Sequence, residues 1–312
     1  MSTELVVIVG PTASGKTALG AALALDLGGE VVSADAFAVY RGLDIGTAKP
    51  NPELRRRVRH HLIDIADPVE RYSAGMFVRD ADAAIAQICA RGKLPIVVGG
   101  THFYVRAMLW GLFPEPAKDA ALRQRLAAEW EQDPDDVRDQ LTRVDAVSAT
   151  RIAPTDRQRT LRALEVSLTS GRPMSALWQE HPRSAPRYRV LMLGLNPPRS
   201  ELHATIATRV ESMFAAGLLR EVRGLLAAGV SPQAHALKAI GYRESCRVLR
   251  GEWTIAEAVE RSIAATRRLA KRQMTWLRGE TGVEWLTGSP EGFVREAVSR
   301  VEARGGAGTG AG

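Results

Sequence analysis

The chain has 312 residues, of which 45% are hydrophobic and 25% charged, a balance typical of a soluble globular protein. This length is too great for one simple domain and predicts an α/β core with an inserted or appended lobe. The formal charge of +7 suits either a polyanionic partner, nucleic acid first, or a surface kept basic for solubility.

The first third of the chain predicts strands that alternate with helices. The predicted strands are residues 5–9, 30–33 and 94–98, and the predicted helices are residues 17–27, 75–91 and 103–110. Apolar runs as short as these, closed by glycine or polar residues, are typical of strands buried on both faces. The alternation predicts an α/β fold with a parallel, doubly wound sheet.

From residue 118 to 186 the pattern becomes helical, and we interpret this stretch as a helical insertion domain. Further predicted elements are a strand at 189–195, helices at 199–228, 239–250 and 255–278, and a strand at 282–286. The predicted P-loop core domain is therefore discontinuous and comprises residues 1–117 and 187–303. The glycine-rich residues 304–312 are predicted to form a flexible tail.

The segment between the first strand and the first helix matches the phosphate-loop pattern G-x-x-x-x-G-K-[ST]. Its residues are Gly10, Pro11, Thr12, Ala13, Ser14, Gly15, Lys16 and Thr17. The glycines let successive backbone N–H groups point at one anion, and the helix N-terminus adds a partial positive charge. Lys16 supplies a full charge, and the Thr17 hydroxyl suits a magnesium ligand. Because the loop recognises phosphates only, it leaves a kinase, an ATPase and a diphosphate-dependent transferase open.

Two polar residues follow the other early strands. Asp35 comes after the second strand, without a basic residue in its immediate sequence neighbourhood, and Thr101 comes after the third. Ligands of open α/β sheets lie beyond the carboxyl ends of the strands, so both side chains are predicted to face the phosphate-loop crevice. The functional interpretation is an acceptor site built from the two. The alternative is a helix N-cap for each, a role that Asp and Thr both favour.

The histidines and cysteines provide no clear further site. His102 alone carries little weight, and His60 and His61 lack metal-ligand spacing, so we interpret that pair as structural. Cys89 and Cys246, the only cysteines, exclude a disulfide framework and suit a reducing cytosol. Without a signal-type segment or an apolar run near 18 residues, we expect a cytoplasmic protein.

Two basic stretches are candidates for polyanion contact. "DRQRTLRALEV" places Arg159 and Arg162 on one helical face, beside Arg157 and Gln158. "RRLAKRQMTWLR" at 267–278 interleaves cations with apolar and aromatic residues. Each stretch alone fits a solvated helix face. Together with the net charge, they favour contact with a nucleic acid.

Eight motifs are spaced along nearly the whole chain. They are "GPTASGKT" at 10–17, "SAD" followed by "VYRGLDIGTAKP" from 33 to 50, "HHLID" at 60–64, "YSAGMF" at 72–77, "PIVVGGT" at 95–101, "DRQRTLRALEV" at 156–166, "AIGYRE" at 239–244 and "RRLAKRQMTWLR" at 267–278. In this order they resemble the tRNA dimethylallyltransferase family, also called tRNA isopentenyltransferases, of the bacterial type. As a set they are far more specific than the phosphate loop.

The resemblance implies transfer of a dimethylallyl group from dimethylallyl diphosphate to the exocyclic amino nitrogen of an adenosine. That adenosine lies immediately 3′ of the anticodon in tRNAs that read codons beginning with U. The resemblance further implies that Asp35 is the general base and that Thr101 shapes the reacting centre. The phosphate loop, with Lys16 and Mg²⁺, would hold the diphosphate.

The family's tRNA-contact segments map onto Asp35, Ala36, Phe37, Ala38, Thr101, Arg123, Gln158, Arg159, Thr160, Leu161 and Arg162. The expected partners are the tRNA anticodon stem-loop and dimethylallyl diphosphate, with no membrane, and we expect a monomer. Two stretches depart from the family pattern. "AFA" at 36–38 replaces the usual Ser-Met-Gln, and "HFY" at 102–104 replaces the frequent Gly-Leu-Tyr. We expect the lining around the reacting base to differ there.

The implied chemistry suits a single acid. The adenine amino group is a poor nucleophile, so its partner must be strongly electrophilic, as an allylic carbon beside a diphosphate is. Loop amides, Lys16 and Mg²⁺ would stabilise the departing diphosphate, and Asp35 would accept the amine proton. The base must leave the anticodon-loop stack to reach the crevice.

Two other functions remain open from the residues. A small-molecule or nucleoside kinase would use the same loop with ATP, and Asp35 would deprotonate a hydroxyl group. A non-catalytic RNA-binding protein would retain only a nucleotide pocket. The intact Lys16, Thr17, Asp35 and Thr101 disfavour this second alternative.

Overall fold

The computed structural model describes residues 4–112, 119–180, 186–287 and 290–306. Contacts divide the chain into two compact units, a core unit of Met1–Leu109 with Pro186–Gly312 and an insertion unit of Trp110–Ala185. Residue 118, the predicted start of the insertion, lies outside the described residues. Among the described helices, none has the length and apolar character needed to cross a membrane.

The core unit is built on a six-stranded parallel sheet. Its strands are β1 (Glu4–Val9), β2 (Glu30–Ser33), β3 (His60–His61), β4 (Pro95–Val98), β5 (Arg189–Leu195) and β6 (Val283–Leu286), in the spatial order β3-β2-β4-β1-β5-β6. In the central strand β1, Val6 and Ile8 join one hydrophobic cluster, and the alternating residues Leu5 and Val7 are equally buried. Burial on both faces explains the uninterrupted apolar runs. The predicted parallel α/β sheet is confirmed.

Four helices follow the first strands: α1 (Lys16–Asp26), α2 (Pro52–Arg57), α3 (Ala74–Ala90) and α4 (His102–Trp110). Helix α1 lies so close to β4 that a Cβ at Gly20 would come within 2.4 Å of Val98 Cγ2. Ser73 caps the N-terminus of helix α3, and its hydroxyl accepts a hydrogen bond from Met76 N–H over 3.3 Å. The first of these contacts packs the helix that follows β1 directly against β4.

All the secondary-structure elements in the described residues of the insertion unit are helices. Its helices are α5 (Ala120–Gln132), α6 (Pro134–Val144), α7 (Ala146–Arg151), α8 (Arg157–Ser170) and α9 (Met174–Glu180). They enclose a separate apolar cluster that includes Trp130, Leu141 and Leu164. Within the core unit, Arg187 N–H donates to Leu109 O over 2.8 Å. This hydrogen bond joins the two chain segments that flank the insertion.

The rest of the core unit is α10 (Arg199–Ala215), α11 (Leu218–Ala227), α12 (Tyr242–Leu249), α13 (Ile255–Arg278) and α14 (Pro290–Gly306). The prediction of one helix over 199–228 was wrong, because the helix is interrupted at Gly217, which has a φ of 104°. Helix α12 starts later than predicted, after Gly241 with a φ of 90°. Helix α13 has the predicted bounds, and Thr254 and Glu257 form its capping box.

The C-terminal helix α14 corrects another prediction. The segment 304–312 was expected to be a flexible tail, yet α14 extends to Gly306. Phe293 and Ala297 of this helix join the cluster that contains Leu19 and Leu23 of α1, so burial favours the helix. Residues 307–312 of the expected tail lie outside the described residues.

Candidate active site

Three neighbouring strands end in the segments predicted to form the site. Strand β1 leads into the phosphate loop, β2 into Asp35 and β4 into Thr101, and β4 lies between the other two. Because the strands are parallel, their carboxyl ends open into the same crevice. The fold therefore brings together all of the predicted site segments that belong to the core unit.

The phosphate loop curls tightly between β1 and α1. Ala13 has a φ of 64° and Gly15 a φ of 89°. Gly15 caps α1 without a side-chain hydrogen bond, which leaves the first helical N–H groups available to an anion. Ser14 Oγ is buried without a hydrogen-bond partner among the described residues. An unpartnered hydroxyl in such a loop fits a phosphate ligand.

Lys16 is the cation of this loop and is only 9% exposed. Its ammonium group donates a hydrogen bond to Pro11 O. Burial, and after it the positive charge of Arg209, lower the pKa of Lys16 to about 7, against the opposing effect of Asp35. A bound anion would relieve this crowding of cations and favour the charged form of Lys16.

The Asp35 carboxylate is half-buried and anchored by backbone groups. Its Oδ1 accepts hydrogen bonds from Phe37 N–H at 2.8 Å and Ala38 N–H at 3.0 Å. One oxygen therefore caps the turn after β2, which is the local role weighed against function. Electrostatic interactions with Lys16 and Arg209 supply the charged partners that its sequence neighbourhood lacks.

Thr101 connects the segments that follow β2 and β4. Its Oγ1 accepts a hydrogen bond from Ala36 N–H at 3.1 Å, and its own N–H donates to Ala34 O at 3.3 Å. The two segments approach so closely that a Cβ at Gly99 would lie 2.1 Å from Ala34 O. Thr101 thus fixes the loop that carries Asp35.

Arg209, on α10, is a site residue that the sequence analysis missed. Burial lowers its pKa, and the negative charge of Asp35 opposes that shift. Arg209 also lines a cavity of about 490 Å³ with Ile45 and Met213, so its side chain is not sealed in the core. It is one of 42 lysines and arginines, and no local motif distinguishes it. Only the packing of the helices brings it to the crevice.

Gln273, on α13, forms hydrogen bonds with two of the segments that line the crevice. Its Oε1 accepts a hydrogen bond from Thr12 N–H at 2.7 Å, and its Nε2 donates to Gly100 O at 2.9 Å. A Cβ at Gly100 would come within 2.5 Å of Gln273 Nε2. One buried amide therefore joins α13 to both the phosphate loop and the turn after β4. The "RRLAKRQMTWLR" motif was interpreted as a basic surface, and this role was missed.

The "AFA" departure places Phe37 beside a histidine. Phe37 and His235 stack with ring centroids 5.9 Å apart and an interplanar angle of 18°. His235 Nδ1 lies 3.2 Å from Tyr40 Oη, which itself accepts a hydrogen bond from Tyr72 N–H at 3.0 Å. Ala36 and Phe37 are half-buried, and Ala38 is buried. Phe37 is thus held at the rim of the Asp35 turn.

The "HFY" departure places a histidine inside the crevice wall. His102 begins α4 and is buried, while Phe103 is 60% exposed and Tyr104 is buried. The His102 ring stacks on Trp276 of α13. The two buried residues of this stretch, His102 and Tyr104, therefore both carry polar rings.

The donor set suits a magnesium ion shared with a substrate. Within the described ranges, no three His, Cys, Asp or Glu residues form a metal-binding group. Mg²⁺ usually takes one or two protein ligands together with substrate phosphates and water, and the exposed Thr17 at the end of the phosphate-loop motif fits that pattern.

The His60–His61 pair forms β3, and His61 Nε2 lies 2.7 Å from Glu30 Oε2.

In the insertion unit, two arginines share one carboxylate. Arg123 Nη2 lies 2.6 Å from Glu165 Oε1, and Arg162 Nη1 lies 2.8 Å from Glu165 Oε2. Glu165 is only 4% exposed, and its two arginine partners lower its pKa against the effect of burial. The predicted tRNA contacts Arg123 and Arg162 are therefore tied to a structural anion.

The remaining predicted tRNA-binding residues of α8 differ in their exposure. Gln158 and Arg159 are exposed, and Arg159 pairs with Asp156 at 3.5 Å. Thr160 is fully buried, and its Oγ1 accepts a hydrogen bond from Arg138, so its side chain offers no surface to RNA. Leu161 packs against the apolar cluster of the unit.

Helix α13 is amphipathic. It buries Ala270, Gln273, Met274 and Leu277 and exposes most of the cations between them. Near its start, arginines surround Trp253, with the Arg261 and Arg247 guanidinium groups 4.4 and 5.8 Å from the ring centroid. They line a cavity of about 400 Å³ that also includes Arg243, Glu244, Ala264 and Arg268. This surface is strongly cationic.

Comparisons with known proteins agree with this geometry. A family model described as IPP transferase matches residues 38–280, and one described as isopentenyl transferase matches residues 3–71. A tRNA dimethylallyltransferase from Anaeromyxobacter dehalogenans is 49% identical over 302 residues, which cover 95% of this chain and 100% of that protein.

Solved structures show the same likeness. A full-length tRNA isopentenylpyrophosphate transferase from Bacillus halodurans matches with a TM-score of 0.72 and 35% identity, over 97% of this chain and 96% of that one. A eukaryotic dimethylallyltransferase, described as acting on tRNA, matches with a TM-score of 0.79 and 28% identity, over 96% of this chain and 78% of that one. These matches favour the transferase over the kinase alternative. The chain belongs to the tRNA dimethylallyltransferase family.

Proposed function

We propose that this chain transfers a dimethylallyl group from dimethylallyl diphosphate to the exocyclic amino nitrogen of the adenosine immediately 3′ of the anticodon, in tRNAs reading U-initial codons. The product is N6-isopentenyladenosine. The names of the relatives support the reaction and the RNA substrate. The main support is the environment of Asp35. Two backbone N–H groups anchor its carboxylate, which interacts electrostatically with Lys16 of the phosphate loop. Both residues lie at the shared end of three parallel strands.

The donor's diphosphate would lie on the phosphate loop. The open N–H groups at the start of α1, Lys16 and Arg209 all favour an anion there. Thr17 would hold Mg²⁺, which when bound neutralises charge on the departing diphosphate. Because the electrophile is an allylic carbon, stabilising the diphosphate lowers the barrier to breaking its C–O bond.

Asp35 would take the proton released by the nucleophile. As the new N–C bond forms, the adenine nitrogen gains positive charge and must lose a proton. Oδ1 of Asp35 already accepts two backbone hydrogen bonds, so we assign Oδ2 as the proton acceptor. Thr101 holds the same loop through Ala36 and so determines where that oxygen lies.

The RNA must present an unstacked base to the crevice and be held by its backbone. Phe37 lies two residues after Asp35, and His235 stacks on Phe37. Both rings are half-buried, so a base next to the reacting adenosine can contact them. The exposed Arg159 and the cationic surface around Trp253 suit phosphate contacts. A tRNA substrate and a content of only two cysteines fit a cytoplasmic enzyme.

The test is the Asp35→Asn variant with a matched tRNA transcript. The asparagine carbonyl oxygen can still accept the hydrogen bonds from Phe37 and Ala38, so the turn is kept while the base is removed. We expect the single-turnover rate of prenylation to fall about a hundredfold or more, with tRNA affinity unchanged. The product is identified by mass spectrometry of the digested tRNA.

Two outcomes would count against the proposal. A normal single-turnover rate for Asp35→Asn would remove Asp35 from the role of base. Wild-type protein that phosphorylates a nucleoside with ATP, and leaves tRNA unmodified with dimethylallyl diphosphate, would restore the kinase alternative.

A further inference from the structure

One buried polar atom in the crevice wall has no role in the chemistry above. His102 is only 8% exposed, and its Nε2 has no hydrogen-bond partner among the described residues. A buried polar group without a hydrogen-bond partner destabilises the fold, because it has lost its contact with water. Because His102 lies beside the ligand crevice, a bound ligand can supply the hydrogen-bond partner that its Nε2 lacks.

The His102 ring is held in one position. It stacks on Trp276 with ring centroids 5.8 Å apart and an interplanar angle of 14°. The Arg106 guanidinium lies 4.6 Å from the centroid of the same Trp276 ring. Because His102 also begins α4 directly after Thr101, both its backbone and its ring are fixed.

The ring is neutral and lies within electrostatic reach of the phosphate site. Burial, and after it the positive charge of Lys16, lower the pKa of His102 to about 4. At physiological pH one ring nitrogen therefore carries a proton and the other does not. Ser14 Oγ, in the phosphate loop itself, is a second buried atom without a partner in the described part of the chain. Both orphan atoms lie in segments that follow adjacent strands, β4 and β1.

We propose that His102 binds the prenyl donor directly, with its Nε2–H donating a hydrogen bond to an oxygen of the diphosphate. This rests on the proposed function, in which the crevice holds that diphosphate. A neutral donor adds a hydrogen bond without adding a further positive charge beside Lys16 and Arg209, which already repel one another. His102 thereby orients the leaving group through a contact that the glycine frequent at this position in the family cannot make.

A matched pair of variants tests the position of the hydrogen-bonding atom. In His102→Gln the side-chain amide nitrogen can reach the place of Nε2, whereas in His102→Asn it reaches only the place of Nδ1. Both variants lose the ring and its stacking on Trp276 equally. The readouts are the dissociation constant of inorganic diphosphate, by calorimetry with Mg²⁺, and that of tRNA.

We expect His102→Asn to weaken diphosphate binding roughly tenfold, His102→Gln to remain close to wild type, and tRNA affinity to stay unchanged in both. Equal weakening in the two variants would assign His102 to packing alone and overturn the proposal. Unchanged diphosphate affinity in His102→Asn would also overturn it. Wild-type protein that binds no diphosphate would instead contradict the proposed function itself.

Discussion

The crevice of the core unit and the Glu165 cluster of the insertion unit both place two cations near one acid, with different results. In the insertion unit, Arg123 and Arg162 contact Glu165 directly at 2.6 and 2.8 Å. In the crevice, no salt bridge within 4 Å joins Lys16, Arg209 and Asp35 in the part of the chain that the structure describes.

The pKa shifts record this difference. The arginines lower the pKa of Glu165, so its charged form is stabilised, and each oxygen of its carboxylate has an arginine partner. Burial and a neighbouring cation instead lower the pKa of Lys16, so its charged form is disfavoured until an anion arrives. A buried acid whose charged form is stabilised by paired cations indicates a structural role. A buried cation whose charged form is disfavoured indicates a site for an anionic ligand. The following variants test that distinction.

Among these variants, the largest effect is expected from Arg209→Gln. If Arg209 contributes to the diphosphate site, its loss should weaken inorganic diphosphate binding roughly tenfold or more at neutral pH. Removing this like charge should also raise the pKa of Lys16 above its value of about 7. In wild type, the affinity for diphosphate should fall as the pH rises above about 7, where Lys16 loses its charge. In Arg209→Gln this fall should therefore begin at a higher pH.

Calorimetric titrations of both proteins at several pH values provide the measurement. Because the diphosphate ionises identically in each series, its own titration cancels in the ratio of affinities. Parallel pH profiles for wild type and Arg209→Gln would show that Arg209 does not act on Lys16 and does not contribute its charge to the diphosphate site.

A smaller effect is expected from Glu165→Gln, and it should concern stability. The pKa of Glu165 is lowered in the folded state, so its charge stabilises the fold above its ordinary value of 4.5. That contribution is lost as the pH falls through the folded-state pKa. The variant should be about 1 kcal/mol less stable at pH 7, and the difference should shrink below pH 4.5. Thermal unfolding at both pH values measures it, and a difference independent of pH would contradict the ion-pair account.

Local sequence predicted the strands and the phosphate loop well, because each depends on neighbouring residues. Strand 189–195 and helix 255–278 have the predicted bounds, the first set by a continuous apolar run and the second by a capping box. The two-residue strand β3 was missed because His60 and His61 carry no apolar pattern. Their strand exists only through its pairing with Val31 and Val32.

The site divides in the same way. Lys16, Asp35 and Thr101 follow strands, so the rule for parallel sheets places them together from sequence alone. Arg209 and Gln273 reach the crevice from helices whose packing no local pattern reveals. The motif containing Arg162 was interpreted as favouring contact with a nucleic acid, and only the fold brings Glu165 and Arg123 to it.

The smallest effect is expected from Arg159→Gln, which tests whether the exposed cations of the insertion unit grip RNA. Arg159 is 76% exposed at its side chain and has only a 3.5 Å pairing with Asp156, so a phosphate can compete for it. Losing one phosphate contact should weaken tRNA binding roughly threefold and lower the slope of log affinity against log salt by about 0.7–0.9. Arg56→Gln, at an exposed position of α2, removes the same charge from the core unit as a control. If both variants lower the salt slope equally, net charge alone explains the binding. A change confined to Arg159→Gln would identify a phosphate contact on the insertion unit, where the paired Arg123 and Arg162 are held by Glu165.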